Sequence, residues 1–97
     1  GGGTRLYRSQ GAPTIITIAP NPAPEQATVV FELQEKTMVT LSLANIFGQT
    51  IRTFSEKQFS EGRFEALCPL HNLPAGTYFF VLTTPQHRVT TPISILR

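Results

Sequence analysis

Residues 38–50 read MVTLSLANIFGQT. From Val39 to Leu43 every second side chain is apolar and the side chains between them are Thr and Ser, a period of two that predicts a β-strand with one buried face. Asn45 and Gly48 follow: Asn45 can cap a turn with its side chain, and Gly48 can adopt the positive φ that a short hairpin loop with a bulge needs. Another β-rich run begins at Thr50. We therefore predict a hairpin, because a helix does not produce this alternation.

Short β-rich runs between Pro, Gly and Asn clusters continue along the whole chain. The predicted strands cover residues 14–18, 27–33, 38–44, 50–54, 63–68, 77–84 and 88–96. Residues 56–62 are predicted to be a polar crossing between two of them. The run 77–84 is apolar on both faces, which is typical of a central strand, and Pro92 predicts that the last strand lies at an edge. About seven antiparallel strands without a helix predict an all-β protein with the architecture of a β-sandwich.

The composition limits the classes of function. A chain of 97 residues with 14% charged and 40% hydrophobic positions is one small domain, which excludes a large enzyme and disorder driven by charge. Eight basic and six acidic side chains give a net charge of +2, and the bases are scattered, so we expect no nucleic-acid partner. No apolar run approaches the roughly 20 residues that cross a bilayer, so we expect no membrane insertion.

The N-terminal residues differ from the rest of the chain. Residues 1–13 combine glycines, arginines and small polar residues without a period, which predicts a flexible linker or lead-in, and residues 14–97 are predicted to be one domain. The start lacks the apolar segment of a secretory signal peptide. If the protein is exported, its signal peptide lies upstream of Gly1 and the chain is part of something longer.

Few residues offer chemistry. Cys68 and His71 suggest a nucleophile and a base, but residues three apart on a strand end point in different directions, and the chain has no Asp to orient the histidine. We therefore interpret Cys68 as a small buried hydrophobe and His71 and His87 as turn residues. One Cys and two His cannot complete a zinc site with four ligands. The sequence predicts no catalytic residue, no metal site, no cofactor and no enzymatic activity.

Tyr78 has a structural interpretation. It follows the turn formed by residues 73–76 and begins a strand, the position at which immunoglobulin-like sandwiches place a tyrosine whose hydroxyl hydrogen-bonds back to the chain. If Gly76 in the same turn has a positive φ, a β-branched residue there should destabilise the fold by about 1–3 kcal/mol.

These motifs, in this order and spacing, resemble the C-terminal sorting domain of the type IX secretion system. The resemblance runs from Thr14 to Arg97 and rests on the segments IAPNPA (18–23), TVVFEL (28–33), VTLSLANIFGQ (39–49), LPAGTY (73–78) and a terminal strand with basic ends. The family's motif positions correspond to Pro20, Asn21, Pro22, Gly48, Pro74, Gly76 and Tyr78. Many relatives carry Lys near Pro92 and Asp at the position of Asn45.

The resemblance implies a seven-stranded immunoglobulin-like sandwich at the C-terminus of a secreted protein of Bacteroidetes-type bacteria. In that family a signal peptide takes the parent protein to the periplasm, and the domain directs the covalently linked cargo, N-terminal to it, through the outer-membrane translocon with its shuttle components. A sortase-like surface protease then removes the domain and attaches the cargo to lipopolysaccharide. The expected location is the periplasm in transit and then the outer-membrane surface or the medium.

The terminal strand is the predicted recognition element. The residues assigned to recognition by the translocon are Val89, Ile93, Ile95, Leu96 and Arg97. We expect the last strand, Val89–Arg97, to be recognised partly through backbone pairing or edge contact, as in strand addition. The alternative function is an accessory immunoglobulin-like or fibronectin-like module of a secreted hydrolase, which binds carbohydrate or spaces domains.

Overall fold

The computed structural model describes residues 12–97, which form seven β-strands. The strands are β1 (Thr14–Ala19), β2 (Gln26–Leu33), β3 (Thr37–Ala44), β4 (Thr50–Phe59), β5 (Gly62–Pro69), β6 (Gly76–Thr83) and β7 (Arg88–Ile95). They make a three-stranded sheet of order β1-β2-β5 and a four-stranded sheet of order β4-β3-β6-β7. All neighbouring strands are antiparallel. The predicted all-β sandwich of seven antiparallel strands is confirmed. Its strand order is immunoglobulin-like but differs from that of constant-type immunoglobulin domains, because β4 pairs with β3 and lies in the four-stranded sheet.

The core lies between the two sheets and is built from alternate residues of each strand, as the period of two requires. Its largest fully buried side chains are Phe31, Phe80, Leu33, Leu41, Leu43, Leu70, Leu82, Ile93, Ile95, Val29, Val39 and Cys68. The central position predicted for the run 77–84 is confirmed, since β6 lies between β3 and β7. The edge position predicted for the last strand is also confirmed.

The fourth strand is longer than its sequence predicts. Residues 56–59 were expected in a polar crossing, but they extend β4 to Phe59, which pairs with Thr37. This part of the prediction is wrong because β4 lies at a sheet edge, where polar side chains stay in water, while one aromatic side chain is enough to anchor the strand end. The ring of Phe59 packs edge-on against Phe31 with centroids 5.5 Å apart.

Antiparallel order places alternate connections at opposite ends of the sandwich. We call one end the distal pole: it holds the loops 20–25, 45–49 and 70–75 and the residues 96–97 that follow β7. The other end, the basal pole, holds the turns 34–36, 60–61 and 84–87 and the start of β1. The chain preceding β1 therefore joins the sandwich at the basal pole.

The predicted linker 1–13 lies outside the described residues except for Ala12 and the buried Pro13. Within residues 12–97 there is no helix of the length and hydrophobicity needed to span a membrane.

Candidate functional site at the distal pole

The β3–β4 hairpin projects from the distal pole with a fixed loop shape. The side chain of Asn45 accepts hydrogen bonds at Oδ1 from the backbone N–H groups of Phe47 (2.9 Å) and Gln49 (3.0 Å), and its Nδ2 donates to Gln49 Oε1 at 2.9 Å. Gly48 has a φ of 85°, a conformation that glycine adopts without steric cost. The predicted hairpin, the cap by Asn45 and the role of Gly48 are all confirmed.

The loop between β5 and β6 is fixed by the predicted tyrosine corner. The hydroxyl of Tyr78 donates a hydrogen bond to the carbonyl of Pro74 at 2.8 Å, and the side chain is 8% exposed. Gly76 has a positive φ, at 153°, and a Cβ built there would meet nothing within 4 Å. Its requirement for glycine is therefore conformational and not a matter of space.

The segment around Asn21 covers part of the free edge of β7. Ala23 bridges in parallel to Ile95: its N–H donates to the carbonyl of Ser94, and its carbonyl accepts the N–H of Leu96, each at 2.9 Å. The N–H of Ser94 donates to Asn21 Oδ1 at 3.1 Å. Asn21 stands between two cis prolyl bonds, Ala19–Pro20 and Asn21–Pro22.

This cover restricts where the backbone pairing expected for part of Val89–Arg97 could form. Residues 94 and 96 already use their outward N–H groups, and Pro92, which shares their side of the strand, has none. An added strand could pair only near the start of β7, because the rest of this edge is occupied or lacks a donor.

Two arginines tie the loops of the distal pole together. The guanidinium of Arg97 donates to the carbonyls of Leu73 (from Nε, 2.8 Å), Leu70 (from Nη2, 2.5 Å) and Pro24 (from Nη1). The terminal segment is thereby linked to both the 20–25 loop and the 70–75 loop. A planar guanidinium with several fixed donors suits this role better than an ammonium group does.

Arg52 of β4 makes the second link. Its Nη1 donates to the carbonyl of Pro69 at 2.9 Å, and its Nη2 donates to that of His71 at 3.1 Å. The edge strand β4 of the four-stranded sheet is thereby hydrogen-bonded to the end of β5 in the three-stranded sheet. In the sequence, these two partners lie 17 and 19 positions away from Arg52.

Cys68 and His71 do not form a reactive pair. Cys68 is fully buried, and burial raises the pKa of its thiol to about 12, whereas a nucleophilic cysteine needs a lowered pKa. His71 lies exposed in the turn after β5, and His87 lies in the turn before β7. The interpretation of Cys68 as a buried hydrophobe is confirmed. The described residues contain no group of three or more His, Cys, Asp or Glu placed to hold a metal ion.

The predicted motif positions in the loops 20–25, 45–49 and 70–75, with Gly76 and Tyr78 beside them, thus lie at one end of the fold. The family model of the secretion system C-terminal sorting domain matches residues 17–95. The chain belongs to this family. The sorting domain serves type IX secretion, which implies interaction with the type IX machinery, a cargo to which the domain is C-terminal, and export to the cell surface or the extracellular space. The family is one of sorting signals and not of enzymes. A search among curated proteins finds no match.

The residues predicted for recognition occupy different environments in the sorting domain. Ile93 and Ile95 are buried in the core, at 1% and 2% exposure, and Val89 is half-buried against it. Leu96 is 56% exposed, and Arg97 is held by loop carbonyls. Of the five, only Leu96 and Arg97 are classed as exposed.

Sequence reasoning missed two features of this pole. The role of Arg52 has no sequence signal, because its partners are backbone carbonyls on a distant loop. The exposed pair Ile46 and Phe47 did have one, since two large apolar residues between Asn45 and Gly48 are unusual in a hairpin loop, where polar residues dominate.

Proposed function

We propose that this sorting domain directs an N-terminal cargo through the type IX translocon and that the translocon recognises its distal pole. The observation that carries the proposal is the separation of the two poles. β1, which follows any N-terminal cargo, begins at the basal pole, while the residues predicted as family motif positions lie around the loops at the other end. A receptor can therefore approach the distal pole without obstruction by the cargo.

Within the terminal segment, Leu96 is the side chain proposed to contact the receptor. Ile93 and Ile95 act by anchoring β7 in the core, and Val89 supports its first half. Arg97 fixes the terminal segment in place through the carbonyls of Leu70 and Leu73. In this role the last residues present one rigid shape, which lowers the conformational entropy that binding would otherwise cost.

The proposal extends to the steps on either side of translocation. The cargo and the domain cross the periplasm as one chain with shuttle components, and after translocation a sortase-like surface protease removes the domain and anchors the cargo. The exposed N-terminal part of β1 supports this order, because cleavage upstream of Thr14 removes no residue of the seven strands.

A reporter fusion tests the proposal. The full 97-residue chain is placed after a periplasmic reporter with a signal peptide, in a bacterium with a type IX system, and reporter at the surface and in the medium is measured. We expect the reporter to be exported, and we expect this export to disappear in a strain that lacks the translocon. Separate antibodies to the reporter and to the domain show whether the two are cleaved apart. Reporter that stays in the periplasm would contradict the proposal, and glycan binding by that fusion would favour the accessory module.

Two variants test the terminal segment. Deletion of Ile95–Arg97 should abolish export, but it also removes a core side chain and the links made by Arg97. Leu96→Ser is therefore the sharper change, because it alters an exposed side chain. It should reduce export while the thermal unfolding of the chain stays the same. Export equal to that of the unaltered chain would remove Leu96 from the recognised surface.

A further inference from the structure

The tip of the β3–β4 hairpin presents two large apolar side chains to solvent. Ile46 is 62% exposed and Phe47 is 82% exposed. Single exposed hydrophobic residues are common and need no explanation. This pair differs because the backbone N–H groups of Phe47 and Gln49 donate to the side chain of Asn45 and Gly48 completes the turn, so the loop that carries the two side chains has one backbone shape.

We infer that Ile46 and Phe47 are anchor side chains that a protein component of the type IX machinery takes into an apolar pocket. The inference rests on the proposed function and adds a second contact to the one made by the terminal segment. Large apolar anchors in a preformed conformation are what dominates the affinity of protein interfaces, since little entropy is lost when they bind.

The position of the tip supports this partner. The hairpin belongs to the distal pole, together with the exposed Leu96, whereas β1, the strand nearest in sequence to any N-terminal cargo, begins at the basal pole. A receptor that contacts the terminal segment therefore meets the hairpin tip at the same end of the domain, and the cargo does not cover it.

The charge of the tip favours a protein pocket over a membrane surface. Residues 45–49 carry no charged side chain, and the nearest basic residue in sequence, Arg52, donates to loop carbonyls. Segments that insert at an anionic lipid surface combine apolar residues with neighbouring Lys or Arg. The tip has one basic neighbour, Arg88, which lines a pocket together with Ile46 and Gly48, and this single charge is not the cluster of Lys and Arg that binds anionic lipid.

Export of the reporter fusion tests the inference with Phe47→Ser and Ile46→Ser. The matched control is Leu67→Ser, because Leu67 is 62% exposed, as Ile46 is, but lies on β5 in the other sheet. We expect export to fall about tenfold for Phe47→Ser, as loss of a buried aromatic anchor predicts. The control should export as the unaltered chain does, and all three variants should keep its melting temperature.

Competition separates recognition from other causes of poor export. A second, untagged copy of the unaltered chain with a signal peptide should reduce export of the fusion, because both bind the same machinery. The Phe47→Ser copy should fail to do so.

Three results would overturn the inference. The first is normal export of both hairpin variants, and the second is equal competition by the Phe47→Ser copy. The third is binding of the unaltered chain to phosphatidylglycerol vesicles together with loss of that binding in Phe47→Ser, because this result would identify a lipid partner. The proposed function fails separately, when the unaltered fusion itself is not exported.

Discussion

The two poles of the sandwich are closed by different forces. At the basal pole the rings of Phe31, Phe59 and Phe64 pack together with centroids 5.0 to 5.7 Å apart. At the distal pole the closure is polar, with hydrogen bonds from Tyr78 and Arg97 to loop carbonyls. Apolar packing is not directional and tolerates substitutions of similar volume, whereas each hydrogen bond fixes the position of a particular backbone group. The pole at which the predicted motif positions lie is therefore the one where hydrogen bonds fix the position of individual backbone groups.

The largest effect is expected from breaking the basal closure. Phe31→Ala removes a side chain that is 1% exposed and contacts both other rings, so it should lower the free energy of unfolding by about 3–5 kcal/mol. Urea unfolding followed by circular dichroism measures the change. Leu67→Ala, at an exposed position, should change it by less than about 0.5 kcal/mol. A loss under about 1 kcal/mol for Phe31→Ala would show that the rings do not close this end.

A smaller effect is expected from breaking the distal closure. Arg97→Ala leaves the carbonyls of Leu70 and Leu73 without their charged donor and should cost about 1–3 kcal/mol. Arg88, exposed at the other end of β7, is the matched control, and its change to Ala should cost less than about 0.5 kcal/mol. Arg97→Lys should recover only part of the loss, because an ammonium group cannot reach three carbonyls in one plane. Equal effects of the two alanine changes would contradict this account of the distal pole.

The smallest effect concerns Cys68, which reports whether the distal closure excludes solvent. Burial raises the pKa of its thiol from 9.0 to about 12, so the folded chain keeps a proton that the unfolded chain loses near 9. The protonated, buried thiol therefore contributes fully to stability below pH 9, and this contribution is lost as the pH rises from 9 to about 12. Native protein at about pH 8 should react with iodoacetamide far more slowly than denatured protein. Arg97→Ala should speed the native reaction, and rapid labelling of the unaltered chain would contradict a sealed core.

Much of the fold follows from local pattern. The alternation in residues 39–43 predicted a strand, and Asn45 and Gly48 predicted the hairpin that follows it. Pro92 predicted an edge position for the last strand, and the structure has all three features. The end of β4 did not follow, because residues 56–58 are polar on an edge strand, and the pairing that orders them is made with β3. Local sequence carries no record of a partner strand, which is why strand ends are the least certain part of such a prediction.

The candidate site was predictable as a set of residues but not as a surface. The resemblance to the family implied the motif positions Asn21, Gly48, Gly76 and Tyr78 from the sequence. Their assembly at one pole required the antiparallel order of the strands, which brings positions up to 73 residues apart into contact, as between Asn21 and Ser94. The cover over the edge of β7 arises in the same way, so the sequence alone suggested a free edge where the fold has a protected one.

The sequence by itself determined the all-β class, the strand pattern, the turns and the resemblance to a sorting domain, because these depend on side-chain periodicity and on backbone preferences of single residues. Tertiary structure alone decided at which end β1 begins, which of the residues predicted for recognition are buried, what holds Arg97 and how far the Ile46–Phe47 tip is exposed. Those features depend on distances between residues far apart in the chain, and such distances exist only once the two sheets have packed.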